Sequence, residues 1–175
     1  MTKKIQTPLT REAVRELRAG DSCLITGTIY TARDAAHKRI VSMLSKGEKP
    51  PFEIEGAVVY YAGPTPAKNG LAVGSCGPTT SSRMNPYAPV MLEYGLAGII
   101  GKGQMSDEVK EALKKRGAVY FCAVGGAGAL AAKAIKNCEV VAFDDLGCES
   151  VKGMEIENFS LIVGIDAMGN SIFDR

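Results

Sequence analysis

Segments that favour β-strands alternate with segments of helical periodicity along most of this chain. Residues 22–31 and 118–124 are rich in β-branched or apolar side chains and predict strands, whereas residues 35–44 place apolar side chains in one helical stripe. After residue 138 the strand-forming segments follow one another without an intervening helix. This order predicts an α/β fold with a mixed sheet or two packed sheets rather than a purely parallel sheet.

Polar and cationic residues come directly after several of the predicted strands. Arg33 and Asp34 follow the strand at 22–31, and Gly101-Lys102-Gly103 follows a short apolar strand at 95–100. In α/β sheets the carboxyl ends of the strands converge on a crevice, so residues distant in sequence become neighbours there. Lys102 is therefore either part of a ligand pocket or an exposed turn lysine.

The segment 74–84 is the richest of these clusters, with glycines, hydroxyl side chains and an arginine. It lies between a predicted strand at 71–73 and a helix that is predicted to begin at residues 81–83. The free N–H groups of a helix start and the guanidinium of Arg83 both suit a carboxylate. The alternative is that Ser81 or Ser82 is an ordinary N-cap and Arg83 a solvated side chain.

Composition limits the class of protein. The 175 residues, 46% of them hydrophobic, suffice for one well-buried domain, and we expect a single domain spanning 1–175. A net charge of +2 gives no reason to expect a nucleic-acid or membrane partner. No secretory signal or membrane-spanning run is recognisable, so the expected location is cytoplasmic. The five widely spaced cysteines favour reduced thiols and argue against a zinc site or a self-held iron–sulfur cluster.

Two chemistries compete for the predicted strand ends. The glycine-rich segment 126–131 fits G-x-G-x-x-A after a strand, and Asp144 ends the next strand, which is the pattern of a dinucleotide site. Close packing of a helix on a sheet would need the same small residues. The competing interpretation is a site for a small polycarboxylate, formed by the following residues: Arg33, Thr79, Thr80, Arg83 and Lys102.

The polycarboxylate interpretation needs a group that moves a proton. A threonine hydroxyl is a poor base unless neighbouring cations or a metal lower its pKa. His37, the single histidine, is either a general base or a packed helix residue.

Several motifs resemble the iron–sulfur-dependent class I fumarases and L(+)-tartrate dehydratases. The similarity is to their C-terminal region or, in two-component enzymes, to the separate β subunit, and it covers nearly the whole chain. The motifs are Thr31-Ala32-Arg33-Asp34-Ala35-Ala36-His37, Tyr61-Ala62-Gly63-Pro64, Gly77-Pro78-Thr79-Thr80-Ser81-Ser82-Arg83-Met84, Gly101-Lys102-Gly103, Val124-Gly125-Gly126 and the closing segment through Gly169-Asn170.

The resemblance implies a swivelling β/β/α domain rather than a nucleotide-binding fold. It also implies a hydro-lyase that reversibly hydrates a dicarboxylate, with fumarate to L-malate, a reaction of the tricarboxylic acid cycle, as the expected reaction. A [4Fe-4S] cluster would bind substrate through its one iron without a cysteine ligand. In this family the cluster cysteines belong to the other region or to the α subunit, so this chain would contribute no metal ligand.

The resemblance also implies roles for individual residues. Thr79 matches the catalytic base, Arg33, Arg83 and Lys102 match contacts to the substrate carboxylates, and Thr80 matches an adjoining pocket hydroxyl. The acid opposite the base would belong to the α component, so the chain alone would be inactive, and a dimer of αβ pairs is the expected assembly. The family usually has an acidic residue after Arg-Met, where this sequence has Asn85.

The sequence leaves the substrate open. The alternatives are an L(+)-tartrate dehydratase β subunit, a hydratase for a methylated dicarboxylate, or a non-catalytic anion- or nucleotide-binding module. The contacts that choose between fumarate and tartrate would lie partly on the partner.

Overall fold

The structure, a computed structural model, describes residues 2–67, 70–123 and 128–174. The elements of the described part are listed here in chain order: β1 Lys3–Gln6, α1 Arg11–Arg15, β2 Ser22–Thr31, α2 Asp34–Ser45, β3 Val58–Tyr60, a 3-10 helix Ser81–Met84, α3 Ala88–Glu93, β4 Gly98–Gly101, α4 Asp107–Arg116, β5 Val119–Cys122, α5 Gly128–Ala134, β6 Ile135–Ala142, a 3-10 helix Asp144–Glu149 and β7 Val151–Ile165.

The strands form one mixed sheet in the order β1-β2-β3-β4-β5-β7-β6, and a further pairing of β2 with β7 closes a ring of five strands. Neighbouring strands from β1 to β5 run parallel. The long strand β7 runs antiparallel to β2, β5 and β6. The α/β class, the mixed sheet and the single-domain organisation predicted from the sequence are therefore confirmed.

Strands β3, β4 and β5 are buried on both faces, which explains why they appear as continuous apolar runs in the sequence. Val58 and Tyr60 of β3 belong to a core cluster shared with β7, α1 and α5. Val59, between them, belongs to a second cluster in which α2, α3 and α4 cover the other face. Strands β4 and β5 alternate in the same way, so α2, α3 and α4 cover one face of the parallel strands, and β7, α1 and α5 cover the other.

The helix ends follow local sequence rules where those rules are strongest. The Thr10 side chain accepts a hydrogen bond from the Ala13 N–H (3.1 Å), and Ser106 caps α4 in the same way through the Val109 N–H (3.3 Å). Gly117 ends α4 in the left-handed region, at φ 68°. Helix α1 ends at Arg15, and the chain then turns back through Leu17, which is buried in the core.

Candidate functional site

The carboxyl ends of β2, β3 and β4 lie at one edge of the sheet because these strands are parallel. Arg33 follows β2, the segment Tyr61–Gly63 follows β3, and Lys102 follows β4. Arg33 is half-buried and Lys102 is exposed. The topology thus brings two of the predicted cations to the same edge.

The segment that contains Thr79 and Thr80 lies along this edge. The Thr79 N–H donates to the Tyr61 carbonyl (2.8 Å), and Thr80 pairs with Lys102 in an isolated parallel bridge. The Ser81 N–H donates to the Lys102 carbonyl (2.9 Å). Thr79 is half-buried and Thr80 is exposed, so both hydroxyl residues border the open edge.

The predicted strand at 71–73 is wrong, since these residues have no strand pairing. They lie in a loop that is closed by hydrogen bonds between Thr65 and Ser75 (Thr65 N–H to Ser75 carbonyl, 2.9 Å; Ser75 N–H to Thr65 Oγ1, 2.7 Å). A Cβ on Gly74 would lie 2.4 Å from the Pro66 carbonyl oxygen, so the loop requires glycine there. Tyr61 and Lys102, rather than a preceding strand, place Thr79 and Thr80.

The prediction that a helix begins at residues 81–83 is also only partly correct. One turn of 3-10 helix, Ser81–Met84, is separated from α3, because Pro86 has no N–H to continue the ladder. The Ser81 N–H is already paired with Lys102, so a long helix with free N–H groups does not begin there. Neither Ser81 nor Ser82 caps the turn; its N-cap is Thr80, without a side-chain hydrogen bond.

An ion pair joins Arg83 to Asp34, so Arg83 lies close to the junction between β2 and α2, which is formed by Arg33 and Asp34. The Nη2 of Arg83 is 3.3 Å from Oδ2 of Asp34, the first residue of α2, and 54% of the Arg83 side chain is exposed. The Asn85 side chain does not pair with Arg83 but accepts the Ser106 N–H at the start of α4 (3.2 Å). Asp34 therefore provides the carboxylate beside Arg83, a role that the sequence motifs did not assign.

Gly63 leaves room for the Arg33 side chain. A Cβ at Gly63 would lie 3.2 Å from Arg33 Cδ, 3.4 Å from its Nη1 and 3.0 Å from the Cys148 carbonyl oxygen. Any larger residue would push the guanidinium or the loop that carries Cys148. The lack of space for a side chain therefore explains why glycine occupies position 63 of the Tyr61–Pro64 motif.

His37 is completely buried behind Arg33. Its Nδ1 lies 2.9 Å from the Arg33 carbonyl oxygen, which can only accept, so Nδ1 carries the proton and donates. The ring stacks on Tyr87 and meets Tyr61 edge-on, with centroids 5.8 and 5.3 Å away. Burial lowers the pKa of His37 to about 4, against the opposing effects of the Arg33 bond and Asp34. The geometry places His37 as a neutral, packed helix residue that orients Arg33.

Buried polar atoms without a hydrogen-bond partner are concentrated at this junction. Among the described residues they are Arg33 Nε, Asp34 Oδ1, His37 Nε2 and the Tyr61 hydroxyl. All four belong to the residues that follow β2 and β3 at the edge. Because buried polar groups are normally paired, their concentration at one place indicates a region built for a polar ligand. The role of Tyr61 could be traced in sequence only through the motif that contains it.

The dinucleotide interpretation lacks its structural context. Residues 124–127, which include Gly126 and Ala127 of its glycine motif and the whole Val124-Gly125-Gly126 motif, lie outside the described residues. Strand β6 pairs with β7 beyond the end of β5 and does not lie beside β5, so β5, α5 and β6 do not form a parallel βαβ unit. Asp144 is exposed in a 3-10 helix after β6.

Three further observations concern other kinds of site or surface. A cavity of about 640 Å³ between the end of α2 and Tyr94 contains none of the predicted site residues, and three glutamates against one lysine line it, which disfavours a dicarboxylate there. Within the described residues no three His, Cys, Asp or Glu side chains are grouped so that they could hold a metal ion. Nor is any helix of that part long and apolar enough to cross a membrane.

Comparison with known proteins adds family information to this geometry. The chain is 41% identical over 173 residues to a provisionally named L(+)-tartrate dehydratase subunit beta of Methanocaldococcus jannaschii, and the match covers 95% of the chain and 89% of that protein. It is 36% identical to fumarate hydratase 2 of Leishmania major and 37% identical to the anaerobic class I fumarate hydratase of Escherichia coli. These two matches cover 94% and 86% of the chain.

The share of each relative that is matched differs sharply. The chain spans only 29% of the Leishmania protein and 28% of the E. coli protein, against 89% of the archaeal one. The sequence model described as Fumarase C-terminus matches residues 2–175. Since this match extends over nearly the whole sequence, the chain belongs to the Fumarase C-terminus family.

Proposed function

We propose that the chain is the β component of a hydro-lyase that reversibly hydrates a dicarboxylate, with fumarate to L-malate as the preferred reaction. Its fumarate hydratase and tartrate dehydratase relatives support the reaction class. The observation that carries the proposal is the edge of the sheet. There, predicted cations and threonines from separate parts of the chain meet buried polar atoms that have no partner among the described residues.

In this proposal the cations hold the substrate carboxylates. Removal of a C–H proton next to a carboxylate builds negative charge on that carboxylate, and fixed positive charges stabilise it in the transition state. Arg33 would present its buried Nε, while Arg83 and Lys102 would approach from the exposed side. The Asp34 carboxylate limits the directions in which Arg83 can point, because it already occupies one guanidinium nitrogen.

Thr79 would be the base and Thr80 an adjoining hydroxyl contact. The backbone N–H of Thr79 donates to the Tyr61 carbonyl, and this bond would hold the Thr79 hydroxyl near Arg33. Neighbouring cations favour an ionised hydroxyl, which is the condition for threonine to accept a proton. The site is half-open on this chain, since Thr80, Arg83 and Lys102 are exposed.

A partner would close this edge. The chain matches a protein that is named as a beta subunit almost end to end, but less than a third of the fumarate hydratases, so the remainder of the enzyme would be a separate α component. We propose that this component holds the [4Fe-4S] cluster and the opposing acid, and that αβ pairs associate further. No group of the described residues fits as ligands of such a cluster.

L(+)-tartrate is the second candidate substrate. The observation that favours it is the beta-subunit relative, which is 41% identical over 89% of its own length and carries that enzyme's name. Tartrate has two hydroxyl groups, so it would need one more polar contact than malate. Such a contact would have to come from Thr80 or from the α component.

Anaerobic co-expression of this chain with its α component tests the proposal. We expect the assembled pair to hydrate one of fumarate, mesaconate or another unsaturated dicarboxylate, or to dehydrate L(+)-tartrate, while the chain alone is inactive. Titration of the chain with fumarate, NAD and ATP is the companion measurement. Tight nucleotide binding with no hydro-lyase activity of the pair on any of these acids would overturn the proposal.

A further inference from the structure

Ser81 is joined to Lys102 by two hydrogen bonds. Its buried N–H donates to the Lys102 carbonyl (2.9 Å), and its Oγ accepts the Lys102 N–H (2.9 Å). Ser81 itself is fully buried, although Ser82 and Arg83 after it are exposed. Thr80 and Lys102 form a strand-like bridge, and beyond it the Ser81 hydroxyl, rather than a backbone carbonyl, pairs with the Lys102 N–H.

The hydroxyl of Tyr120 extends this connection. Its oxygen lies 2.7 Å from the Gly103 carbonyl oxygen and 2.8 Å from Ser81 Oγ. A carbonyl oxygen can only accept, so the single phenolic proton goes to Gly103, and the serine hydroxyl donates to the Tyr120 oxygen. Burial raises the pKa of Tyr120, which keeps this proton in place at neutral pH. The chain of donors runs from the Lys102 N–H through Ser81 and Tyr120 to the Gly103 carbonyl.

Glycine at position 101 makes this arrangement possible. A Cβ there would lie 1.8 Å from Ser81 Oγ and 3.2 Å from Tyr61 Cδ2. Gly103, on the other side of Lys102, has φ +83°, a backbone conformation that favours glycine. Glycine is thus favoured on both sides of Lys102, at position 101 because there is no space for a side chain and at position 103 because of the backbone conformation.

We infer that Ser81 and Tyr120 are positioning residues for the dicarboxylate site. They fix the backbone on both sides of Lys102 and tie it to the turn that carries Thr80 and Arg83. Neither residue touches the substrate. The inference rests on the proposed function, and it goes further by assigning two buried residues that no predicted site included. A network whose members are all paired specifies one arrangement, whereas a broken one leaves a buried polar group that costs stability.

Two substitutions that retain most of the packing test the inference. Ser81→Ala and Tyr120→Phe each remove one hydroxyl. Since misplacement of a binding group by about 1 Å can cost on the order of 100-fold in rate, we expect each to lower kcat/KM for fumarate about 10- to 100-fold in the assembled enzyme. The double variant should lose little more than Ser81→Ala alone, because the chain is already broken. Amide exchange of the full chain should become faster at Lys102 for both variants.

Asp166→Asn is the matched control, since Asp166 is buried and heavily hydrogen-bonded but lies at the opposite end of the strands. It should lower the unfolding midpoint without a specific rise in exchange at Lys102 and without lowering kcat/KM. Normal kcat/KM in both variants despite faster Lys102 exchange would overturn the inference, as would unchanged exchange. Failure of the proposed function is a separate outcome, in which the parent pair has no hydro-lyase activity on any of the dicarboxylates while exchange at Lys102 still becomes faster in Ser81→Ala.

Discussion

Buried polar groups are hydrogen-bonded at the amino end of the parallel strands, whereas several at the carboxyl end have no partner among the described residues. At the amino end, Asp166 follows β7 beside the start of β5, and only 1% of it is exposed. Its carboxylate accepts three backbone N–H groups, from Ala19 (3.1 Å), Met168 (3.0 Å) and Asn170 (3.0 Å), and the Asn170 amide (3.3 Å). This buried charge is completely paired, and its role is to hold the β2 entry and the closing turn together.

At the carboxyl end, the junction after β2 and β3 leaves polar atoms unpaired. Arg33, Asp34, His37 and Tyr61 each carry one buried nitrogen or oxygen without a partner among the described residues. Each such atom costs about 1–3 kcal/mol, so a stable protein retains a group of them where a ligand supplies the missing bonds. The difference between the two ends separates a structural polar cluster from a candidate binding site.

Removal of the Thr79 hydroxyl should give the largest effect at the carboxyl end. Thr79→Val keeps the shape of the side chain, and loss of a general base lowers the rate by about 10²–10⁴-fold, so we expect turnover of the assembled pair to fall by that order. Thr79→Ser is the matched control because it keeps the hydroxyl, and it should retain far more activity. Both variants should assemble and unfold like the parent. Near-normal turnover of Thr79→Val would remove Thr79 from the role of base.

His37 should make the stability of the carboxyl end depend on pH. Its pKa is about 4 in the folded chain and 6.5 when unperturbed, so the unfolded chain binds the extra proton first as pH falls. We expect the free energy of unfolding to decrease below pH 6.5 by up to about 1.4 kcal/mol per pH unit, levelling off near pH 4, and to be unaffected by His37 above pH 6.5. Urea unfolding from pH 7.5 to 4.5 measures this.

The His37→Gln variant isolates that contribution, because carboxylates also titrate below pH 5. Its unfolding free energy should depend less on pH between 6.5 and 5 than that of the parent. Parallel curves for the two proteins would mean that His37 becomes charged in the folded state.

The sequence predicted the features that depend on contacts between neighbouring residues or on general rules of sheet topology. Strand β2 has the predicted bounds. The ends of helix α4 follow from an N-cap serine, charged first and last turns and a C-terminal glycine, all of which act within a few residues. That Arg33 and Lys102 lie at the same edge of the sheet could also be predicted, since parallel strands in α/β folds end together. Both results follow from rules that do not require the full three-dimensional packing.

The contacts that the sequence did not predict are all long-range. Nothing local to Asp34 indicates that it pairs with Arg83, and nothing local to Ser81 indicates that its hydroxyl serves Lys102 and Tyr120 rather than its own helix turn. The apolar run at 71–73 is intrinsically a good strand, but the Thr65–Ser75 hydrogen bonds hold it in a loop. Tertiary packing overrode local preference in each case.

Asp166→Asn should test the amino end. The substitution keeps the size of the side chain but replaces an acceptor oxygen by an NH₂ group that faces N–H donors, so we expect a loss of about 2 kcal/mol in unfolding free energy. Turnover per assembled pair should stay within twofold of the parent at a temperature where the variant is folded. A large loss of turnover without loss of stability would show that the two ends are coupled and that the Asp166 cluster is not purely structural.

Arg83→Lys should give the smallest effect. An ammonium retains the positive charge but cannot contact a carboxylate with two parallel N–H groups while also meeting Asp34, so we expect KM for the dicarboxylate to rise about tenfold with a smaller change in kcat. Arg116→Lys is the matched control, because Arg116 ends α4 at the opposite edge, 39% of its side chain is exposed, and its nitrogen lies 3.9 Å from Glu93. Steady-state kinetics of both variants decide the question: equal KM values would make Arg83 a surface charge like Arg116, whereas a rise confined to Arg83→Lys would extend the binding site from the buried Arg33 junction to the exposed 3-10 turn.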